Sequence, residues 1–232
     1  MKKIVIALLA LLSTPAFAEE PNFAGPAQTH GLWILSTPPA ADSTVTKAEL
    51  AELHRIQASR TSAQEAQARA DAAEESLFIY KSVLGEKFNP GALPLTVAFG
   101  QRVKHDEDVN TDPLKAVFKR VRPYKLDQSL RPACKATKAD NSYPSGHATA
   151  GYLAALALID MVPEQRDAIL ARADVYAENR LVCGVHYPSD IAAAKLLAYS
   201  THAVMTTNPQ YQTELAAARN ELRQQLGLAP LQ

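Results

Sequence analysis

The chain has 232 residues, of which 47% are hydrophobic and 21% are charged, which is typical of one globular domain. Its 24 basic residues balance 24 acidic ones, so the formal net charge is zero. This balance excludes the polybasic class of nucleic-acid-binding proteins.

The first 18 residues, MKKIVIALLALLSTPAFA, predict a secretory signal peptide. Two lysines precede a short apolar run, and small residues follow at the expected cleavage site. The apolar run is too short to cross a bilayer. We therefore predict a mature chain that begins at Glu19, has no membrane partner once the signal is removed, and resides in the periplasm.

Residues 19–46 contain several prolines and little periodicity, which predicts an extended N-terminal segment. Residues 47–232 are predicted to form one helical domain. Helices are expected at 47–57, 61–84, 112–122, 146–161, 163–180, 189–205 and 213–226, with a short helix or loop at 93–103 and a loop at 128–142. Because no convincing strand alternation interrupts this series, the predicted fold class is all-α, a single-domain helical bundle.

Asp112 and Pro113 have the pattern of a helix start, with an N-cap aspartate followed by proline at the first helical position. Lys115 and Arg122 would then lie two turns apart on one face of that helix. The prediction brings two cations to one surface.

The tetrapeptide Pro144–His147 (PSGH) precedes an apolar, alanine-rich segment that predicts a buried helix. A helix N-terminus presents unpaired N–H groups and partial positive charge, which suit a phosphate. Gly146 would let the backbone approach the anion closely. Taken alone, the motif is also compatible with an ordinary turn and a structural His147.

His186 and Asp190 are four residues apart at the start of the next predicted helix. This spacing can place the carboxylate beside one ring nitrogen, which fixes the tautomer and leaves the other nitrogen free to attack. The alternative is a capping aspartate and a histidine satisfied within the core.

A metal site made by His147, His186 and Asp190 is a rival interpretation. No cysteine or second carboxylate cluster stands near these residues in the sequence, and the neighbouring cations would repel a divalent ion. We therefore predict no metal and no other cofactor. Phosphoryl transfer fits better, because fixed cations stabilise the negative charge that spreads over the equatorial oxygens. The candidate cations are Lys115, Arg122 and Arg180.

Three segments together carry a resemblance to a known family. They are Lys115–Pro123, Pro144–His147 and Asn179–Asp190, which match the patterns K-x6-RP, PSGH and SR-x5-H-x3-D. The chain resembles bacterial class A non-specific acid phosphatases, within the type 2 phosphatidic acid phosphatase (PAP2) and vanadium haloperoxidase superfamily. The resemblance implies a secreted, metal-independent acid phosphatase that hydrolyses phosphate monoesters of broad specificity through a phosphohistidine.

The resemblance also implies roles for individual residues. His186 would be the nucleophile, Asp190 would orient it, and His147 would be the general acid. The phosphoryl oxygens would be held by Lys115, Arg122, Ser145, Gly146 and Arg180.

Cys134 and Cys183 are the two cysteines of the chain. Export makes a disulfide plausible, with two free buried thiols as the alternative; the resemblance implies the disulfide. Asn179 stands where the family pattern has serine, and we expect it to alter phosphate affinity or substrate choice.

Other functions share parts of this pattern. A lipid or diphosphate phosphatase has the same signature, but those with lipid substrates typically span membranes. A vanadium-dependent haloperoxidase has a similar site, but this chain is much shorter. A non-catalytic phosphoester binder would not need two histidines. The partners we expect are a small phosphomonoester and, as in related enzymes, further copies of the chain in a homo-oligomer.

Overall fold

The computed structural model describes residues 19–231; the predicted signal peptide, residues 1–18, lies outside the described residues. Within this range the chain is helical and contains no strand, which confirms the all-α prediction. The α-helices are α1 (Pro26–Thr29), α2 (Gly31–Ile34), α3 (Thr44–Ser59), α4 (Ser62–Ala72), α5 (Lys81–Leu84), α6 (Pro94–Phe118), α7 (Pro123–Leu126), α8 (Gly146–Met161), α9 (Arg166–Val182), α10 (Pro188–Met205) and α11 (Pro209–Leu226).

Helix α8 forms the centre of the bundle and packs against α6, α9, α10 and α11. Most of its side chains are buried, and many are alanine, which lets neighbouring helices approach closely. The approach is tightest at Gly151, where an added Cβ would lie 2.5 Å from the Tyr176 ring of α9. This packing fixes the N-terminal end of α8, which carries the PSGH motif.

The N-terminal segment is anchored to α6 by one buried carboxylate. Asp106 accepts hydrogen bonds from the backbone N–H groups of Asn22, Phe23 and Ala24 at 2.6–2.8 Å. Residues 19–46, expected to be extended, are largely irregular but also contain α1, α2 and the first residues of α3.

Helix α6 corrects two predictions. Residues 94–103 and 112–118 belong to one helix of 25 residues, and Pro113 lies inside it instead of at its start. Proline removes a backbone hydrogen bond from a helix interior, but Thr111 and Leu114 on either side are buried, so packing outweighs the local preference. Because the helix is continuous, Lys104, Glu107, Thr111 and Lys115, which are three or four residues apart, share one face.

The predicted helix 61–84 is also wrong in part. Helix α4 ends at Ala72, and the chain then turns inward to form a 3-10 helix, Leu77–Tyr80. Leu77 and Tyr80 are buried in the main core, and a straight continuation of α4 would not bury them. The break at residues 73–76 brings Glu75 to the same end of the bundle as the PSGH motif.

Cys134 and Cys183 form a disulfide, with their Cα atoms 5.0 Å apart. This agrees with the pairing implied by the resemblance. The bond fastens the 128–142 loop to the end of α9, beside Arg180. In the part of the chain described here, no helix combines the length and apolar character needed to span a membrane.

Candidate active site

A polar cavity of about 300 Å³ lies where the C-terminal ends of α6 and α9 meet the N-terminal end of α8 and the turn before α10. The residues that line it are Glu75, Glu107, Asp108, Lys115, Arg122, Tyr124, Lys135, Thr137, Asn141, Gly146, His147, Arg180, Val185 and His186. Ser145 and Asp190 are fully buried beside it. The structure therefore brings together all the residues predicted for the phosphoryl site, although they come from distant segments.

Lys115 and Arg122 reach the cavity by a different route from the one predicted. Helix α6 ends at Phe118, and Lys119 adopts the left-handed conformation, with φ 46°. The chain then becomes extended at Arg122, with ψ 148°. In an extended segment residues two apart point to the same side, which brings both Arg120 and Arg122 towards the start of α10.

The partners of His186 determine its tautomer. Nδ1 lies 3.1 Å from Oδ2 of Asp190, and Nε2 lies 2.8 Å from Nη1 of Arg122. A guanidinium has donors but no acceptor, so Arg122 donates to Nε2, and Nε2 carries no proton. The proton is on Nδ1 and is donated to Asp190. His186 is therefore held as a neutral imidazole whose Nε2 accepts from Arg122, and both residues line the cavity.

The charge around His186 reinforces this state. Burial lowers the pKa of His186 well below its usual 6.5, and the positive charges of Arg122, Arg180, His147 and Lys115 lower it further. Both effects favour the neutral ring over the charged one.

Asp190 is oriented by donors on every side. Besides His186, its carboxylate accepts from Arg120 at 2.6 Å, from the Ser142 hydroxyl at 2.6 Å and from the Tyr187 backbone N–H at 2.9 Å. Arg120 is paired in turn with buried Glu49 at 2.8 Å. This network fixes both carboxylate oxygens and, through them, the plane of the imidazole.

The three predicted cations, Lys115, Arg122 and Arg180, line the cavity, as does Lys135. The two arginines differ in how many hydrogen bonds they make to the protein. Arg122 donates to Asn141 and to the Val185 carbonyl as well as to His186. Arg180 is 6% exposed, and its Nε has no hydrogen-bond partner among the described residues. Burial lowers the pKa of Arg180 to about 10. Its guanidinium is therefore charged and poorly satisfied, as expected of a group that binds an anion.

The N-terminus of α8 lies against these cations. Ser145 is its N-cap, and the Ser145 hydroxyl accepts from the Ala148 backbone N–H at 3.4 Å. A Cβ added to Gly146 would lie 3.0 Å from Nζ of Lys115. Glycine at this position thus leaves room for the lysine and for backbone N–H groups to contact an anion.

His147 has the opposite kind of partners to those of His186. Its Nδ1 lies 2.7 Å from Oε1 of Glu75, and its Nε2 lies 3.2 Å from the Ala72 carbonyl oxygen. Burial disfavours the charge of Glu75, but the hydrogen bond and charge of His147, together with Lys104, lower the pKa of Glu75 to about 2. Both ring nitrogens of His147 therefore face acceptors, and both carry protons when these bonds are made.

A second carboxyl, Glu107, adjoins the anion site. It is 1% exposed and lies 3.0 Å from Nζ of Lys104. Burial raises its pKa to about 7, although Lys104 and Lys115 oppose the shift. Burial thus makes the Glu107 carboxyl harder to ionise than an ordinary glutamate, while Lys115 pairs with the exposed Asp112 at 3.0 Å.

Asn179 lies outside the lining of the cavity. It is 7% exposed, and its Nδ2 donates to Asp71 at 2.7 Å, beside two bonds from Arg172 to the same carboxylate. Asp71 belongs to the last turn of α4, next to Ala72. Asn179 therefore contacts the last turn of α4, which supports His147, and does not line the cavity.

Sequence reasoning missed Glu75, Arg120, Ser142 and Glu107. None has a pattern of its own, and Glu75 comes from the break after α4, which the sequence did not predict. Among residues 19–231 no group of three or more His, Cys, Asp or Glu side chains is arranged to hold a metal ion.

The amino-acid sequence of the chain is similar to those of known proteins. A family profile described as PAP2 superfamily matches residues 92–214. A non-specific acid phosphatase of Salmonella typhi is 29% identical over 222 residues, which cover 93% of this chain and 89% of that protein. One of Providencia stuartii is 34% identical over 118 residues, or 49% of this chain and 47% of that protein, so the match spans about half the length of that relative.

The fold has a solved counterpart. A transmembrane PAP2-type phosphatidylglycerolphosphate phosphatase from Bacillus subtilis superposes with a TM-score of 0.56 and 17% identity, covering 78% of this chain and 94% of that one. At this identity the likeness concerns the fold alone.

Proposed function

Because the chain belongs to the PAP2 superfamily, we propose that it is an acid phosphatase that hydrolyses phosphate monoesters through a phosphohistidine at His186. The profile match and the acid phosphatase relatives confirm the predicted family and indicate an enzyme of the phosphatase type. The observation that carries the mechanism is the position of His186, whose Nε2 accepts from Arg122 in a cavity that Lys115, Lys135 and Arg180 also line.

Substrate binding begins with the phosphate. Its oxygens take hydrogen bonds from Lys115, Arg122, Arg180 and the backbone N–H of Gly146. When Arg122 donates to the phosphate instead of to Nε2, the lone pair of His186 is released. Nε2 then forms a bond to phosphorus as the bond from phosphorus to the leaving oxygen breaks.

His147 supplies the proton for the leaving alcohol. The transferred proton is the one on Nδ1, because Glu75, its present acceptor, lines the cavity, whereas Ala72 does not. In the second step the now neutral His147 takes a proton from a water molecule, which attacks phosphorus. The bond between phosphorus and Nε2 breaks, inorganic phosphate leaves, and both histidines return to their starting states.

Asp190 keeps the proton of His186 on Nδ1 throughout and stabilises the positive charge that develops on the phosphorylated ring. The cations and N–H groups stabilise the charge on the equatorial oxygens. No step requires a metal ion, and we propose a metal-independent enzyme of broad specificity that is exported to the periplasm.

The test is hydrolysis of p-nitrophenyl phosphate by the purified chain across pH, with and without EDTA and vanadate. We expect turnover on the acid side that resists EDTA and is inhibited by vanadate. Acid-quench trapping with mass spectrometry should place a phosphoryl group on His186. Loss of turnover with EDTA, or turnover with the phosphoryl group on another residue, would contradict the proposal.

A further inference from the structure

A second cavity, of about 600 Å³, adjoins the catalytic one. The side chain of Glu75 lines both cavities. On the far side of this carboxylate the walls are largely apolar. They include Leu77 and Phe78 of the 3-10 helix, Pro90 of the segment before α6, and Val97 of α6.

The position of this cavity relative to His147 indicates what it holds. Glu75 contacts His147 at Nδ1, the nitrogen that donates to the leaving oxygen in the proposed mechanism. The leaving oxygen must therefore come close to the place where Glu75 now meets the ring. The remainder of the alcohol extends from that oxygen, away from the phosphate-binding cations, and the adjoining space is the apolar cavity.

The charges of the cavity restrict the alcohol further. Among the described residues that line it, the cationic one is Lys104, and its Nζ is already paired with Glu75 at 3.4 Å, Glu107 at 3.0 Å and Asp108 at 2.7 Å. Glu74 and Glu75 add carboxylates to the wall. The cavity therefore favours an uncharged occupant over an anionic one.

We propose that this cavity is a leaving-group subsite that binds the uncharged apolar part of the substrate, such as an alkyl or aryl group. The proposal rests on the proposed function for the identity of the occupant as part of a phosphoester and for the place of its leaving oxygen beside His147. It predicts that the enzyme, although broad in specificity, discriminates among monoesters by the apolar length of the alcohol.

The test uses n-alkylphosphonates, which present the same anion but cannot be hydrolysed. For the full chain we expect calorimetric affinity to rise from methyl- to hexylphosphonate by up to about fourfold per buried methylene. A terminal carboxylate on the hexyl chain should remove most of the gain.

Two obstructing variants and one matched control locate the effect. Val97→Phe fills the cavity, and Gln101→Trp obstructs it from an exposed position; both should flatten the dependence on chain length but keep methylphosphonate binding. Ala98→Phe places the same aromatic ring on α6 at an exposed position outside the cavity. This variant should retain the dependence on chain length. A flat series in the unmodified chain, or a rising series in both obstructing variants, would overturn the subsite.

Hydrolysis of ethyl and hexyl phosphate is measured with the same proteins. The alcohols differ little in acidity, so a difference in kcat/KM reports binding of the chain in the transition state. If hexylphosphonate binds tightly and neither ester is hydrolysed, the subsite stands and the proposed phosphatase function fails. If both esters are hydrolysed equally and the phosphonate series is flat, the phosphatase function stands and the subsite fails.

Discussion

The two histidines of the cavity differ in the partners that the fold gives them. His186 contacts one donor, Arg122, and one acceptor, Asp190. His147 contacts two acceptors, Glu75 and the Ala72 carbonyl. The first ring thus has a donor beside Nε2 and an acceptor beside Nδ1, which favours the neutral form, whereas the second has an acceptor beside each nitrogen. In the proposed mechanism, identical side chains serve as nucleophile and as acid because their hydrogen-bond partners differ.

The largest expected effect comes from removing the nucleophile. His186→Ala should lower kcat for p-nitrophenyl phosphate by about 10⁴-fold or more and abolish the trapped phosphoenzyme. His202→Ala is a matched control, since His202 also pairs with an aspartate, Asp160, at 2.9 Å but lies outside the cavity. Activity of His186→Ala within tenfold of the unmodified enzyme would refute the assignment.

Removing the acid should affect substrates unequally. His147→Asn should lower kcat for butyl phosphate by about 10²- to 10⁴-fold, because a poor leaving group needs the proton. With p-nitrophenyl phosphate the first step should be affected much less, since the leaving phenolate is a stable anion. Stopped-flow traces should then show a burst followed by slow hydrolysis of the phosphoenzyme. Equal losses on both substrates, without a burst, would contradict the acid role.

The sequence predicted which histidine, carboxylate and helix-start residues meet at the cavity because their relations are local. His186 with Asp190, and Ser145 with Gly146 and His147, lie within four residues of each other, and the structure keeps these relations. The residues that hold each group in place by hydrogen bonds are distant from it in the sequence. Arg120 and Ser142 reach Asp190 from other segments, and their positions follow from tertiary packing that no spacing in the chain reveals.

Helix boundaries were predicted less well for a related reason. Pro113 has the local pattern of a helix start, yet the buried side chains around it keep α6 continuous. The chain breaks after Ala72, because Leu77 and Tyr80 enter the core. In both places burial overrides local preference, and the second break positions Glu75.

The pH dependence of kcat and kcat/KM should distinguish the surroundings of His186 from those of His147. His186 attacks when neutral, and because its pKa is well below 6.5, kcat/KM should persist as pH falls below 6.5 and decline only through that lowered pKa. Glu75 remains ionised down to about pH 2 and favours the protonated His147. Glu75→Gln should therefore move the alkaline limb of kcat to lower pH and leave the acid limb of kcat/KM in place.

The control for Glu75→Gln is Glu74→Gln, a neighbouring exposed carboxylate that makes no bond to His147. It should leave both limbs unchanged. An alkaline limb that does not move in Glu75→Gln, or that moves equally in Glu74→Gln, would show that Glu75 does not set the state of His147.

The smallest effect is expected at Asn179. The Asn179 side chain donates a hydrogen bond to Asp71 and does not line the cavity. Asn179→Ser should therefore change kcat for butyl phosphate by less than about fivefold, which corresponds to the about 1 kcal/mol of a typical hydrogen bond. Inhibition by inorganic phosphate should remain unchanged. A large change in the phosphate inhibition constant would contradict this and support the expectation from the sequence that Asn179 alters phosphate affinity.

The most direct test of the contrast between the histidines is a long-range ¹H–¹⁵N correlation spectrum of the histidine-labelled enzyme at mildly acidic pH, assigned with His186→Ala and His147→Asn. The account predicts a neutral His186 with its proton on Nδ1 and a doubly protonated His147. A doubly protonated His186, or two rings in the same state, would contradict it.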